Sequence, residues 1–424
     1  MHMSKKNKIV MAPKLRFPEF SNANCWEMTK LSDVLTEHSL KSSGKEVVFS
    51  VSVHKGLINQ VEHLGRSFSA SNTDRYNRVL PGDVVYTKSP TGDFPFGIVK
   101  QSRLDRPVIV SPLYGVFTPK TMGLGTLLGA YFESSGNTRI YLEPLIQKGA
   151  RNTININNKK FLSGELPLPQ SDSEQQKIGQ FLDSIDRLIK NQARKLNALN
   201  THKKGLIQQI FPIENETIPK LRFPEFKFSG PWVSKKVSDL LIKVSNPVNV
   251  DDDLYYREIG IKSHGKGIFH KEPVKGKTLG NKRVFAIEKN AFIVNIVFAW
   301  ELAIANTSES EEGMIASHRF PMYKPYKNRA DVTYIKYFFD RKGKELLWIA
   351  SPGGAGRNKT LGQKDFERLE FLIPESLIEQ QKIADCLSTI DALIDVESNK
   401  LKELKRFKKG LIQEMLPVMD DSVQ

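Results

Sequence analysis

From Ile178 onward, apolar residues recur in steps of four and three: Ile178, Leu182, Ile185, Ile189, Leu196, Leu199, Leu206 and Ile210, with Gln192 and Lys203 holding the beat as polar interruptions. That spacing is the heptad signature of a helix with one apolar seam. The same beat returns at Ile383, Leu387, Ile390, Ile394, Leu401, Leu404, Leu411 and Met415, and its interruptions, Glu397 and Lys408, fall at the matching places. Both stretches open with Glu-Gln-Gln-Lys-Ile (from Glu174 and from Glu379) and close on Lys-Lys-Gly-Leu-Ile-Gln (from Lys203 and from Lys408), a constant offset of 205 residues. Helices of this length, roughly 50 Å at about 1.5 Å per residue, are too long to be covered by one domain's core. The seams are therefore expected to pack on each other, and if they pair antiparallel the distal helix runs back toward the first domain.

Outside the helices the pattern is that of short strands. Residues 47–53, 79–88 and 108–119 read as strands in the first half, punctuated by Pro81-Gly82-Asp83 and by a loop at 89–93; residues 255–261, 291–299 and 319–326 follow in the same order in the second half. A helical patch comes after each set, at 127–132 and 334–339. The borders repeat almost letter for letter. Pro13-Lys-Leu-Arg-Phe-Pro-Glu-Phe20 returns from Pro219 to Phe226, Trp26 matches Trp232, and Leu31-Ser32-Asp33 aligns with Val237-Ser238-Asp239. The chain thus reads as a tandem duplication. Its expected division is a basic tail (1–12), an α+β domain (13–170), a central long helix (171–212), a second α+β domain (213–376), a distal long helix (377–417) and a short tail (418–424). Asp172 or Ser173 is expected to cap the central helix; Ser376 lies a little early to do so for the distal one.

Charge adds a partner to this picture. With 63 Lys and Arg against 47 Asp and Glu, the chain carries a formal +16 and a pI near 9.5, which points to a polyanion, nucleic acid ahead of a membrane surface. Two cysteines, Cys25 and Cys386, fit a reducing compartment and exclude a disulfide scaffold or a Cys-rich zinc site. The eight histidines show no metal-binding spacing. The basic start lacks the apolar stretch of a signal peptide, and the most apolar run, 291–300, contains Asn295 and has about half the length of a membrane span. A soluble, cytoplasmic protein is expected. Two similar domains related by a pseudo-twofold axis suit duplex DNA, where paired readers sit about one helical turn, ~34 Å, apart. Because the two interiors differ, each domain would read a different word, and the target would be two-part, asymmetric and interrupted by unread bases.

With its two variable domains, its repeated Glu-Gln-Gln-Lys-Ile helices and its Arg-Phe-Pro-Glu-Phe borders, the chain resembles the specificity subunits of type I restriction-modification systems over almost its whole length. The resemblance implies two target recognition domains joined by two long antiparallel helices that form a coiled-coil rod, with no catalysis in this chain. It implies double-stranded DNA as ligand, two adenine methyltransferase subunits docked on the helices and two ATP-driven restriction and translocation subunits, with no membrane. No cofactor would bind this chain; S-adenosylmethionine, ATP and magnesium would belong to the partners. A stand-alone DNA- or RNA-binding scaffold without restriction partners is the competing function.

Base readout needs Arg or Lys for guanine and Asn or Gln for adenine, beside phosphate contacts that carry no sequence information. Arg151 and Asn152 occupy a glycine-rich loop matched by Arg357, Asn358 and Lys359, and are taken as DNA contacts against the plainer reading of a chain-turning loop. Lys88 and Ser89, with Lys262, Ser263 and His264, follow strands and could face the groove or form solvated turns; the two readings stand level. Arg75, Arg78, Lys282 and Arg283 read as surface charges. Lys203, Lys204, Lys408 and Lys409 read as a partner surface or solvated positions rather than phosphate contacts. Gly353 to Thr360 approaches a phosphate-binding loop, but Asn358 stands where its second glycine is needed. No Asn/Asp-Pro-Pro-Tyr run grips a base for methylation, and Tyr86 occupies the position where a nuclease of the Pro-Asp…Glu-x-Lys kind needs a carboxylate.

Overall fold

Two helices of 39 residues each, Asp172–Ile210 and Leu377–Met415, carry the heptad seams. Ile178, Leu182 and Ile185 are buried and Ile189, Leu196 and Leu199 half-buried, whereas Lys190, Asn197 and Asn200 face solvent; Ile383 and Leu387 are buried, with Ile390, Ile394, Leu401 and Leu404 half-buried. The computed structural model describes residues 10–64, 72–148, 154–353 and 359–417. The chain divides into one unit made of Met1–Arg194 with Asn399–Gln424 and another made of Lys195–Ser398. The division falls inside both helices rather than at their ends, because each half-helix packs on the domain beside it.

In the first unit Ile178 and Leu182, at the start of the central helix, share a core with Ile412, Met415 and Leu416 at the end of the distal one. In the second unit Ile383, Ala384 and Leu387, at the start of the distal helix, share a core with Ile210 and Phe211 at the end of the central one. Start meets end in both units, the antiparallel arrangement. Each fully buried Leu or Ile contributes about 1.5–3 kcal/mol, so a handful of seam positions outweighs the weak intrinsic preference of either helix.

The repeated border motifs have a structural cause. Arg16 donates from Nε and Nη2 to the two carboxylate oxygens of Glu174 at 2.7 Å each, and the Trp26 indole donates to Oε1 of the same carboxylate at 3.2 Å. Arg222, Glu379 and Trp232 repeat the arrangement at 2.7, 2.8 and 3.3 Å. Both glutamates are only 1% exposed, so the fork-shaped guanidinium is what makes a buried carboxylate tolerable. The next residues of the motif act locally: Gln175 and Gln380 donate to the carbonyls of Pro169 and Pro374, and Lys177 and Lys382 pair with Glu19 and Glu225 while lying over Phe17 and Phe223. The backbone N–H of Leu15 donates to Glu414 O, and that of Leu221 to Gln209 O, both at 2.9 Å, so each border segment is fastened to a helix end as well as to a helix start.

Helix starts correct one expectation. The hydroxyl of Ser376, immediately before Leu377, accepts from Glu379 N at 3.4 Å, as Ser171, immediately before Asp172, accepts from Glu174 N. Ser376 therefore stands at the cap position, and neither Asp172 nor Ser173 does, since both lie within the first turn.

The two domains share one antiparallel sheet order despite their dissimilar interiors. Leu35–Glu37, Gly115–Pro119, Val84–Tyr86 and Val99–Gln101 run side by side in the first; Leu241–Val244, Met322–Pro325, Phe292–Val294 and Ile304–Asn306 do so in the second. A further strand pair accompanies each, Asn77–Val79 with Val108–Val110 and Val284–Ala286 with Ile315–Ser317. Phe161 and Phe366, 205 positions apart and fully buried, fill the two cores: Phe161 stacks on Tyr86 at 4.6 Å and Phe366 packs against Tyr323 at 5.0 Å.

Several expected strands are shorter than their apolar runs. Residues 79–88 are broken at Pro81-Gly82, where Gly82 has φ +88° and Asp83 N closes a turn on Leu80 O. Residues 108–119 form two strands, because Tyr114 N closes a turn on Ser111 O. Of residues 291–299 only Phe292–Val294 is strand; the Asn295 side chain accepts from Val297 N and turns the chain. Arg319 and Phe320 precede, rather than join, the strand Met322–Pro325.

Candidate nucleic-acid interface

Two grooves run between a domain and the helices of its own unit. The groove of the first unit, about 600 Å³, is lined by Arg103, Asp183 and Arg187; Arg103 reaches Asp183 at 3.3 Å and Asp186 at 2.8 Å, and Arg187 pairs with Asp183 at 3.3 Å. The groove of the second unit, about 780 Å³, holds Lys203, Lys336, Asp340 and Asp391, with Lys203 on Asp391 at 2.5 Å and Lys336 on Asp340 at 2.8 Å. Burial pushes the Asp340 carboxyl up, and the Lys336 ammonium offsets part of that push. In the first groove these cations are matched by carboxylates, whereas the second also holds Lys204, Lys266 and Arg341, which have no carboxylate partner among the described residues.

The seam lysines belong to the same networks, a correction to their reading as partner-facing or solvated. Lys408 is bound to Glu133 of the first domain and Asp186 of the central helix, both at 2.7 Å, and Lys203 to Asp391, over the ring of Tyr337 at 5.3 Å. Lys203–Asp391 and Lys408–Asp186 are the same pair in two copies. Lys204 and Lys409 are exposed.

The described residues among those proposed from sequence as DNA contacts lie on separate loops of their own domains. Arg151, Asn152, Arg357 and Asn358 lie outside the described residues. Lys88 is half-buried at φ +57°, and burial lowers its ammonium pKa while Glu37 partly opposes the shift; Ser89 beside it is exposed. Lys262, Ser263 and His264 form the turn between Ile259–Ile261 and Ile268–His270. Lys262 leans over Phe269 at 6.0 Å, Ser263 donates to Glu301 at 3.0 Å, and His264 lines the groove beside the helices. Lys359 caps the ring of Trp348 at 4.0 Å. Arg78, read as a surface charge, is paired with Glu46 at 2.8 Å.

The sequence reading passed over a third cleft, about 360 Å³, on the second domain. It collects Lys271, Lys282, Asn295, Phe298, His318 and Arg319 from four separate segments. In the sequence Asn295 reads only as an interruption of an apolar run, and Lys282 only as a surface charge. Arg319 opening an expected strand directly after His318 was the one local signal available.

Among the described residues no group of His, Cys, Asp or Glu is placed to hold a metal ion, and no helix is long and apolar enough to cross a membrane.

Comparison with known proteins bears on the same two domains. The solved type I restriction-modification S subunit of M. genitalium superposes with a TM-score of 0.62 at 13% identity, covering 97% of this chain and 100% of that one, a likeness of fold. A chain of Methanocaldococcus jannaschii that carries the name of type I restriction enzyme MjaX specificity subunit is 23% identical over 283 residues, which take in 64% of this chain and 63% of that protein's length. The family model described as type I restriction modification DNA specificity domain matches twice, over residues 26–201 and 207–406, once for each copy of the duplication. On that double match, which covers most of the sequence, the chain belongs to the type I restriction-modification DNA specificity family.

Proposed function

We propose that this chain is the sequence-reading subunit of a type I restriction-modification assembly and performs no chemistry itself. Each domain reads one half of a two-part, asymmetric DNA target, and the paired helices set the unread gap and dock adenine methyltransferase subunits. Two methyltransferase and two restriction-translocase subunits complete the assembly, and S-adenosylmethionine, ATP and magnesium act in those partners. The observation that carries the reading is the contrast between frame and interior. The Arg-Glu-Trp clamp, the caps and the sheet order are the same in both halves, while the loops on the sheets differ in length and chemistry. A common frame with divergent loops is what two readers of different words require.

Co-expression with the adenine methyltransferase expected in a neighbouring reading frame tests the reading. The two proteins are expected to purify together and to methylate adenines within one interrupted two-part motif in the host genome. A chain that stays apart from that methyltransferase and confers no such motif would overturn the assignment and leave a stand-alone nucleic-acid scaffold.

A further inference from the structure

In the cleft on the second domain the cations outnumber the carboxylates that hold them. Glu258, with its side chain 12% exposed, accepts from both Lys271, at 3.3 Å, and Lys282. One carboxylate thus balances two ammonium groups, and the pair keeps a net positive charge at the rim. Those two hydrogen-bonded cations hold the Glu258 carboxyl below its ordinary range, although burial pushes the other way. Arg319 is exposed and has no ion pair among the described residues.

Three segments distant in sequence meet here through the backbone. Leu361 N donates to Ile296 O at 2.8 Å, and Ile296 N donates to Arg319 O at 3.0 Å, so the chain leaving the glycine-rich loop, the turn at 295–298 and the approach to Met322–Pro325 are tied edge to edge. The Arg319 backbone is pinned while its guanidinium has no hydrogen bond or ion pair among the described residues. Beside it Phe298 stands 44% exposed, and Asn295, 9% exposed, is held by its own turn to Val297. A fixed base with a free planar fork is the arrangement that bidentate recognition of guanine O6 and N7 requires. An exposed ring close by suits the methyl group of thymine, and the two tethered lysines suit flanking phosphates.

From this geometry we infer that the second domain reads its half-site through this cleft, with Arg319 as the residue that specifies a guanine, Phe298 as an apolar contact to a neighbouring base, and Lys271 with Lys282 as phosphate contacts. The inference rests on the function proposed above and narrows it to named residues. It also separates the reading cleft from the turn at Lys262, Ser263 and His264, of which His264 lines the groove beside the helices.

The test uses the full-length chain bound to its methyltransferase partner, selecting from a pool of random-sequence duplex DNA. Wild type is expected to return one interrupted consensus. Arg319→Ala should lose preference at one guanine position of one half-site, by roughly 5- to 150-fold, and leave the other half-site unchanged. Arg319→Lys, which keeps the charge without the fork, should hold overall affinity closer to wild type while relaxing the same position. Phe298→Ala should weaken an adjacent position of the same half-site. Unchanged consensus sequences in the Arg319→Ala and Phe298→Ala variants, or loss of both half-sites together in Arg319→Lys, would overturn the cleft assignment while leaving the proposed function in place. A wild-type complex that returns no two-part consensus would overturn the function itself.

Discussion

At the scale of single residues, the duplication is preserved where burial leaves no choice. Glu174 and Glu379 are each buried against a guanidinium and an indole N–H, and the indole has no water to fall back on. Removing the carboxylate strands both donors. Glu174→Ala and Glu379→Ala are therefore each expected to destabilise their own unit by about 3–5 kcal/mol, the usual cost of breaking a buried pair from one side. Urea unfolding of the full chain, followed by Trp26 and Trp232 fluorescence, checks this; a loss under 1 kcal/mol in both variants would show that the clamp is not holding the border segments. Gly179 makes the opposite case. A Cβ there would lie 2.7 Å from Gly123 O, whereas the matching position in the second half is Ala384, which is buried without difficulty. Gly179→Ala should thus be destabilising and Ala384→Gly only mildly so, an asymmetry that the near-identity of the two helices hides.

Elements built on these residues respond to pH in a defined direction. The short turn Glu309–Glu311 is closed by Glu311, which accepts from Ser308 N at 2.8 Å and meets His270 at 2.7 Å. Burial alone would raise the Glu311 carboxyl, but hydrogen bonds from Ser310, Ser308 and His270 bring it down from 4.5 to about 2. A carboxyl depressed in the folded state contributes its stability in full above pH 4.5 and loses it as pH falls toward 2. Acid unfolding of the second domain should be less steep across that window in Glu311→Gln than in wild type; parallel profiles would remove Glu311 from the account. Elements also differ in how far the sequence revealed them. The long helices were legible because ten seam positions repeat the same steps twice, and a period of 3.5 sustained over 39 residues has no other reading. Strands of three residues were only half legible. Val84, Val85 and Tyr86 are all buried, as are Phe292, Ile293 and Val294, so these central strands show no alternation, and their apolar runs continue into turns set by Pro81-Gly82 and Asn295. The common sheet order and the cleft at Arg319 were not legible at all, since both depend on partners far apart in the chain, such as Leu361, Ile296 and Arg319.

For the whole molecule, the proposed division of labour makes words and gap separable. Replacing residues 40–150 with the interior of another recognition domain leaves Arg16, Trp26, Glu174 and the sheet-edge pairing of Trp26–Lys30 with Glu165–Leu168 untouched, so the hybrid should fold and change one half-site only. The gap should answer to the helices instead. Inserting seven residues after Arg194 and seven after Ser398 keeps each apolar seam in phase, because a heptad returns the helix to nearly the same face, about 20° short of full register. Each helix then gains about 10.5 Å of rise, close to three base pairs at about 3.4 Å each. The expected outcome is a methylated motif with both half-sites unchanged and an unread gap wider by about three base pairs. A four-residue insertion into one helix, which a heptad seam takes up as a local unwinding, is likewise expected to widen the tolerated gap without changing either word. If the paired heptads leave the gap as it was while methylation persists, the spacing is set by the domains' own contacts on DNA and not by the helices between them.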